Sequence, residues 1–238
     1  MTKSTELTPT YIESEKLPYW LVNLPQDQWP AECPDFLCNL PAKSIKVLST
    51  PDDEYVRQSW ELAQQFIASN RIDLFQRVPS DLRKYLEYTS RIVSKYGSVM
   101  DFVVRERLHW ENAMTPKGSR PFENPEDHKI LFNDWPYGIE KDIVHLVVWT
   151  KFAFEDDPIA DDLTLRARKE IDDFVGSVFR ARVPAERVIW FRNWKSLKSV
   201  HAVEHFHVML YQPDMEFVRE VTNGDVPLID KDAVSAVA

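Results

Sequence analysis

Three histidines, His201, His205 and His207, share one stretch of the chain, RVIWFRNWKSLKSVHAVEHFHVMLY at residues 187–211. β-Branched and aromatic residues flank a basic segment there, a pattern that reads as two strands joined by a loop. Strand side chains alternate between faces, so the imidazoles project on one side with Val203 and Met209. Ala202, Phe206, Val208 and Leu210 take the other side, an apolar row broken by Glu204. Imidazoles on one face of a core strand make the floor of a pocket. His205 and His207, at i and i+2, suit acid–base or nucleophilic chemistry near neutral pH. The same spacing supplies two ligands of a metal ion, but local spacing fixes no third, and a pair of hydrogen-bonded structural histidines satisfies it as well. No metal and no cofactor is therefore assigned. Glu204 points into apolar surroundings, where a carboxylate needs a partner, ordinarily an arginine; it joins His205 and His207 in the candidate catalytic set.

Two charged segments flank this strand pair. Arg180, Arg182, Arg187, Arg192, Lys195 and Lys198 lie within nineteen positions that contain one acid, Glu186. Trp190, Phe191 and Trp194 interleave them, which suits stacking on bases together with phosphate contact, or a solvated basic edge. Upstream come Glu155, Asp156, Asp157, Asp161 and Asp162. Asp161 and Asp162 suit the positive end of a helix, whereas Asp156 and Asp157 lack that role and suit a bidentate guanidinium contact or a surface loop.

The elements that must position these groups follow from periodicity. Polar residues 1–16 read as a tail, and the proline-rich, aromatic residues 17–41 as an irregular strap over the surface. A first helix is expected from Thr50, with Thr50 as cap and Pro51 in the first turn. Further helices are expected over 80–96, stopped by Gly97, and over 99–110. Residues 128–133 and 143–151 read as strands, the second apolar enough to lie centrally in a sheet. A helix over 161–182 carries the stripe Ile171, Phe174, Val175, Val178 and Phe179, and a short helix covers 213–221. The pattern gives an α+β fold, a helical N-terminal half packed on a mostly antiparallel sheet from the C-terminal half. One domain spans 17–222, between the tail 1–16 and a C-terminal tail at 223–238.

The chain has 238 residues, 44% of them hydrophobic, and a formal net charge of −9. That balance argues against broad attraction to nucleic acid or anionic membrane but leaves room for a local basic patch. Cys33 and Cys38 form neither a disulfide framework nor a zinc motif. With no signal-peptide pattern and no long apolar run, a cytoplasmic protein without membrane partners is expected.

Two resemblances extend this reading. Residues 130–210 present Asn133, a proline-containing turn, His145-Leu-Val-Val, a helix, a strand leading to Asn193, and His205-Phe-His207-Val-Met209. This order resembles the histidine-triad and galactose-phosphate uridylyltransferase superfamily, which implies a nucleotide site and His207 as the nucleophile on phosphorus. Met209 stands where that superfamily has His or Gln. Over nearly the whole chain, PYWLVNLP, FQRVPSDLRKYLEYT, KYGSVMDFVVRERLHW, ILFNDWPYG, HLVVWTK and VIWFRNWKSLKSVHAVEHFHVML resemble the fungal N-acetylglucosamine-induced protein 1 family. That resemblance implies a relation to arginine-containing cyclodipeptide synthases, which join arginine from arginyl-tRNA to a second aminoacyl group. Under it, the six basic residues from Arg180 to Lys198 face tRNA, and Asp156 and Asp157 receive the arginyl side chain. Asn133, Asp134, Trp135, His145 and Asn193 complete the substrate contacts, and His205, His207 and Glu204 move protons. A nucleoside diphosphate sugar hydrolase or transferase is the alternative reaction, and a sugar-responsive regulatory protein the non-enzymatic one.

Overall fold

The computed structural model describes residues 17–158, 162–193 and 203–231. Four strands, β1 (His128–Phe132), β2 (Ile143–Thr150), β3 (Val188–Phe191) and β4 (Glu204–Tyr211), form one sheet in the order β1-β2-β4-β3 with every pairing antiparallel. β2 and β4 are central, and their alternation sorts two faces. Leu146, Val148, Phe206, Val208 and Leu210 are all 0% exposed on one face. They pack under Ile171, Phe174 and Val175 of helix α5 (Leu165–Val175) and Phe217 and Val218 of α6 (Met215–Val221).

The other face carries His145, Val147, Trp149, His205, His207 and Met209, placed side by side by the register Val147↔His207, Trp149↔His205 and His145↔Met209. The N-terminal half covers it: α2 (Trp60–Ala68), α3 (Pro79–Tyr96) and α4 (Val99–Phe102), the last running on through a wider turn at Val103–Leu108. The protein is thus α+β, with helices of the N-terminal half on one face of an antiparallel sheet from the C-terminal half. Gly97 ends α3 at φ 84°, a left-handed conformation that costs a glycine little.

Three local expectations are corrected. No helix starts at Thr50; α1 (Ala42–Leu48) precedes it, and α2 begins ten residues later, where Ser59 Oγ accepts the Leu62 N–H. Asn23 of the strap holds the intervening turn, bonding Thr50 O at 3.0 Å and the Asp52 N–H at 2.8 Å. Asp52 then accepts the Ser80 N–H at the start of α3, so its capping capacity serves another helix. The expected helix over 161–182 begins instead after Thr164, whose hydroxyl caps it, while Asp162 pairs with Arg168. Residues 223–231, expected as tail, belong to the packed domain: Asp225 binds Arg107 and Phe132, and Leu228 is buried among Tyr88, Trp135 and Val203.

Candidate functional site

Between the helical layer and the histidine face lies a cavity of about 290 Å³. Its walls are aromatic: Phe75, Tyr85, Tyr88, Phe102, Trp135, Tyr137 and Trp149. His205 and His207 form its floor, with Asn133, Asp134 and Asn193 at its sides.

His207 is 6% exposed and held on three sides. Its ring stacks on Phe191, with centroids 4.8 Å apart and planes 13° apart. His205 stands edge-on to it at 5.7 Å and itself stacks on Trp149 at 4.4 Å. Nδ1 of His207 lies 3.0 Å from Nε2 of His145, whose strand neighbours it. Asn133 orients the second ring. Its Oδ1 accepts the Trp135 N–H, which leaves the amide nitrogen as a donor 3.2 Å from His145 Nε2. Nε2 of His207 and Nε1 of Trp135, both buried, have no hydrogen-bond partner among the described residues.

Burial pushes His145 down to about 3, and the positive charge of Arg77 adds to the effect. His207 is also driven well below the ordinary imidazole value, first by burial and then by His145, His205 and Arg77. Both rings are held in the neutral form, so a hydrogen bond between them has its proton on either His145 Nε2 or His207 Nδ1. When that proton sits on His207, Nε2 is a bare lone pair in the cavity, the form a base or a nucleophile needs.

Asp134 belongs to a different network. Arg107, its side chain 9% exposed, binds Asp134 at 2.9 Å and Asp225 at 2.8 Å. Burial nevertheless pushes the Asp134 carboxyl up to about 6, against the pull of Arg107. Its main-chain and side-chain oxygens also accept the Ile229 and Leu228 N–H groups, so it fastens the C-terminal segment over the cavity.

Several candidate residues lie elsewhere. Glu204 does not join the histidines: alternation turns it to the opposite face, where it meets Arg192 at 3.4 Å. Arg192 also binds Asp156 at 2.6 Å with its own side chain 8% exposed, so it is an internal counter-ion and not a phosphate contact. Asp156 is for the same reason not an open guanidinium receptor. Asp157 donates its N–H to Asp162 O at 2.8 Å and, like Asp156, does not line the cavity. His145 is not a substrate contact, because it stands behind His207 and not in the cavity wall. Arg180 pairs with Asp172 and Arg182 with Glu220, which uses up much of the local basic excess; Arg187 is half-buried. Lys195, Lys198 and His201 lie outside the described residues.

Other cavity residues had no local signal. Arg77 donates its Nε–H to Trp135 O at 3.0 Å and lies 4.0 Å over the Tyr85 ring, a contact made across the fold. Trp149 was accessible to reasoning, since it shares the His145 face of β2 by simple alternation.

Fold and site together define an α+β protein with an aromatic pocket floored by His205 and His207. The chain belongs to the family described as "Protein of unknown function (DUF3605)", whose model matches residues 59–211. N-acetylglucosamine-induced protein 1 of Candida albicans is 27% identical over 185 residues, 70% of this chain and 73% of that protein. An uncharacterized protein of Saccharomyces cerevisiae is 27% identical over 182 residues, 73% of this chain and 89% of its own length. The crystal structure of HTC1 shares the fold with a TM-score of 0.56 at 24% identity, over 75% of this chain and 92% of that one. No helix among the described residues is long and apolar enough to cross a membrane.

Proposed function

We propose that the cavity is the active site of an aminoacyl-transferring enzyme in which His207 is the base, and that the reaction is tRNA-dependent formation of a cyclic dipeptide with arginine as one substrate. The observation that supports it is the Nε2 of His207, without a hydrogen-bond partner among the described residues and set in aromatic walls with its Nδ1 beside His145. An amine attacking an aminoacyl ester must lose a proton as the C–N bond forms, and His207 Nε2 accepts it. The same proton passes to the departing ribose oxygen as the ester C–O bond breaks, and a second attack of this kind, by the remaining amine on the remaining ester, closes the ring and releases the second tRNA. The attack must also outrun hydrolysis, and aromatic walls that exclude water favour the amine. Trp135 Nε1–H is a donor for the oxygen on which charge develops.

Purified protein incubated with arginyl-tRNA and other aminoacyl-tRNAs should yield diketopiperazines by mass spectrometry. His207→Gln should abolish them while the fold, read by circular dichroism, persists. Absence of product with every charged amino acid would falsify the reading.

A further inference from the structure

We infer that the cavity recognises an oxyanion attached to a flat ring, with Arg77 and Lys43 as the anion's partners. Arg77 stands apart from the other arginines of this region. Arg107, Arg180, Arg182 and Arg192 each meet a carboxylate. Arg77, by contrast, meets none within ion-pair distance among the described residues, and is held by the Trp135 carbonyl and by the faces of Tyr85 and Tyr137 at 4.0 and 5.6 Å. A guanidinium positioned by neutral groups keeps its charge available.

Lys43 lines the same cavity. Its Nζ donates to the carbonyls of Asp73 and Phe75, and it too lacks a carboxylate within ion-pair distance. Burial lowers its affinity for a proton and Arg77 lowers it further, whereas Asp73 acts the other way. Of the acids that line the cavity, Asp134 is engaged by Arg107, and Asp73 pairs with Arg71 while also acting on Lys43. Arg77, and Lys43 at the exposed rim, therefore face the cavity with no carboxylate at ion-pair distance among the described residues, in a chain of net charge −9.

The rest of the cavity describes the ligand's body. Eight Phe, Tyr and Trp rings line it, and the buried Trp135 Nε1–H and His207 Nε2 have no hydrogen-bond partner among the described residues. Stacking suits a planar ring, and the two polar atoms suit a ring with polar edges. The anion is either the phosphate of a nucleotide or the carboxylate of an aromatic acid. The inference uses the same cavity as the proposed reaction but does not depend on turnover.

Isothermal titration at low salt with adenosine 5′-monophosphate, adenosine, inorganic phosphate and 4-hydroxyphenylacetate tests this. One of the two ring-bearing anions should bind at least tenfold more tightly than adenosine or phosphate alone; which one does so identifies the anion. Arg77→Met should weaken that ligand at least tenfold, and Arg77→Lys should restore part of the loss. Lys43→Met should weaken it several-fold, and stands in should the Arg77 variants fail to fold. His207→Gln should retain the preference for the anion. Equal binding of neutral and anionic rings, no binding of either anion, or an unchanged affinity in folded Arg77→Met overturns the inference, whatever the diketopiperazine assay shows.

Discussion

His145 Nε2 and His207 Nδ1 lie 3.0 Å apart inside the protein, within hydrogen-bond reach of each other. The pairing spans two strands, with His145 opposite Met209 and His207 opposite Val147, so the rings meet on the diagonal of the ladder.

A pH dependence of stability follows. His145 has its affinity for protons lowered from 6.5 to about 3, and His207 shifts the same way. Within that window the unfolded chain binds protons that the folded chain refuses, so stability rises with pH and is lost on acidification. Each buried ring contributes a slope of about 1.4 kcal/mol per pH unit. Urea unfolding between pH 4 and 6 should show it, and His145→Phe should make the acid limb shallower by about one proton. A limb parallel to that of the parent chain would mean that His145 is charged in the folded state.

Asp134 has the opposite sign. Its carboxyl is raised from 3.8 to about 6, so between those values the folded chain binds more protons and stability falls as pH rises. Asp134→Asn removes that opposing contribution and should steepen the acid limb in the same urea experiment.

Arg192 should behave as a structural counter-ion. Removing one member of a buried charged group leaves the others uncompensated, at a cost of about 3–5 kcal/mol. Arg192→Met takes a buried guanidinium away from Asp156 and Glu204, which keep other contacts, and should lose stability toward the low end of that scale in denaturant titrations. Arg182→Ala breaks an exposed pair with Glu220 and should cost at most about 1 kcal/mol. Equal, small losses for both would move Arg192 to the surface.

Gly138 sits against Tyr55. A Cβ there would approach Cε1 and Cζ of the ring at 2.7 Å, and the Tyr55 hydroxyl is anchored on Gly138 O at 3.2 Å and Gln76 O at 3.4 Å. Gly138→Ala should destabilise by about 1–3 kcal/mol through overpacking. The same change made in Tyr55→Ala should cost less, and a double-mutant cycle measures the coupling.

Local periodicity was enough to place β2, β4 and α3, because Ile143–Thr150 and Glu204–Tyr211 alternate against one apolar face and Gly97 halts a clear helical stripe. Alternation likewise separates Glu204 from His205 and His207. The turn at Thr50 was not legible, because Asn23 decides it from 27 residues away. The His145–His207 contact depends on strand register, and the destinations of Arg192 and Arg77 depend on groups that only the fold brings near. Charge runs misled for the same reason: composition shows that arginines are plentiful from Arg180 onward but not which carboxylates claim them.

The carboxylate of Asp225, met above as a partner of Arg107, also accepts the Phe132 N–H at 2.9 Å. β1 is an outer strand of the sheet, and this amide points away from β2. An exposed row of such amides is a template on which another chain can pair and aggregation can begin. With Asp225 on one amide and Lys129 along the strand, that outer row is partly closed and guarded by charge, so the segment that fastens the pocket also discourages edge-to-edge association.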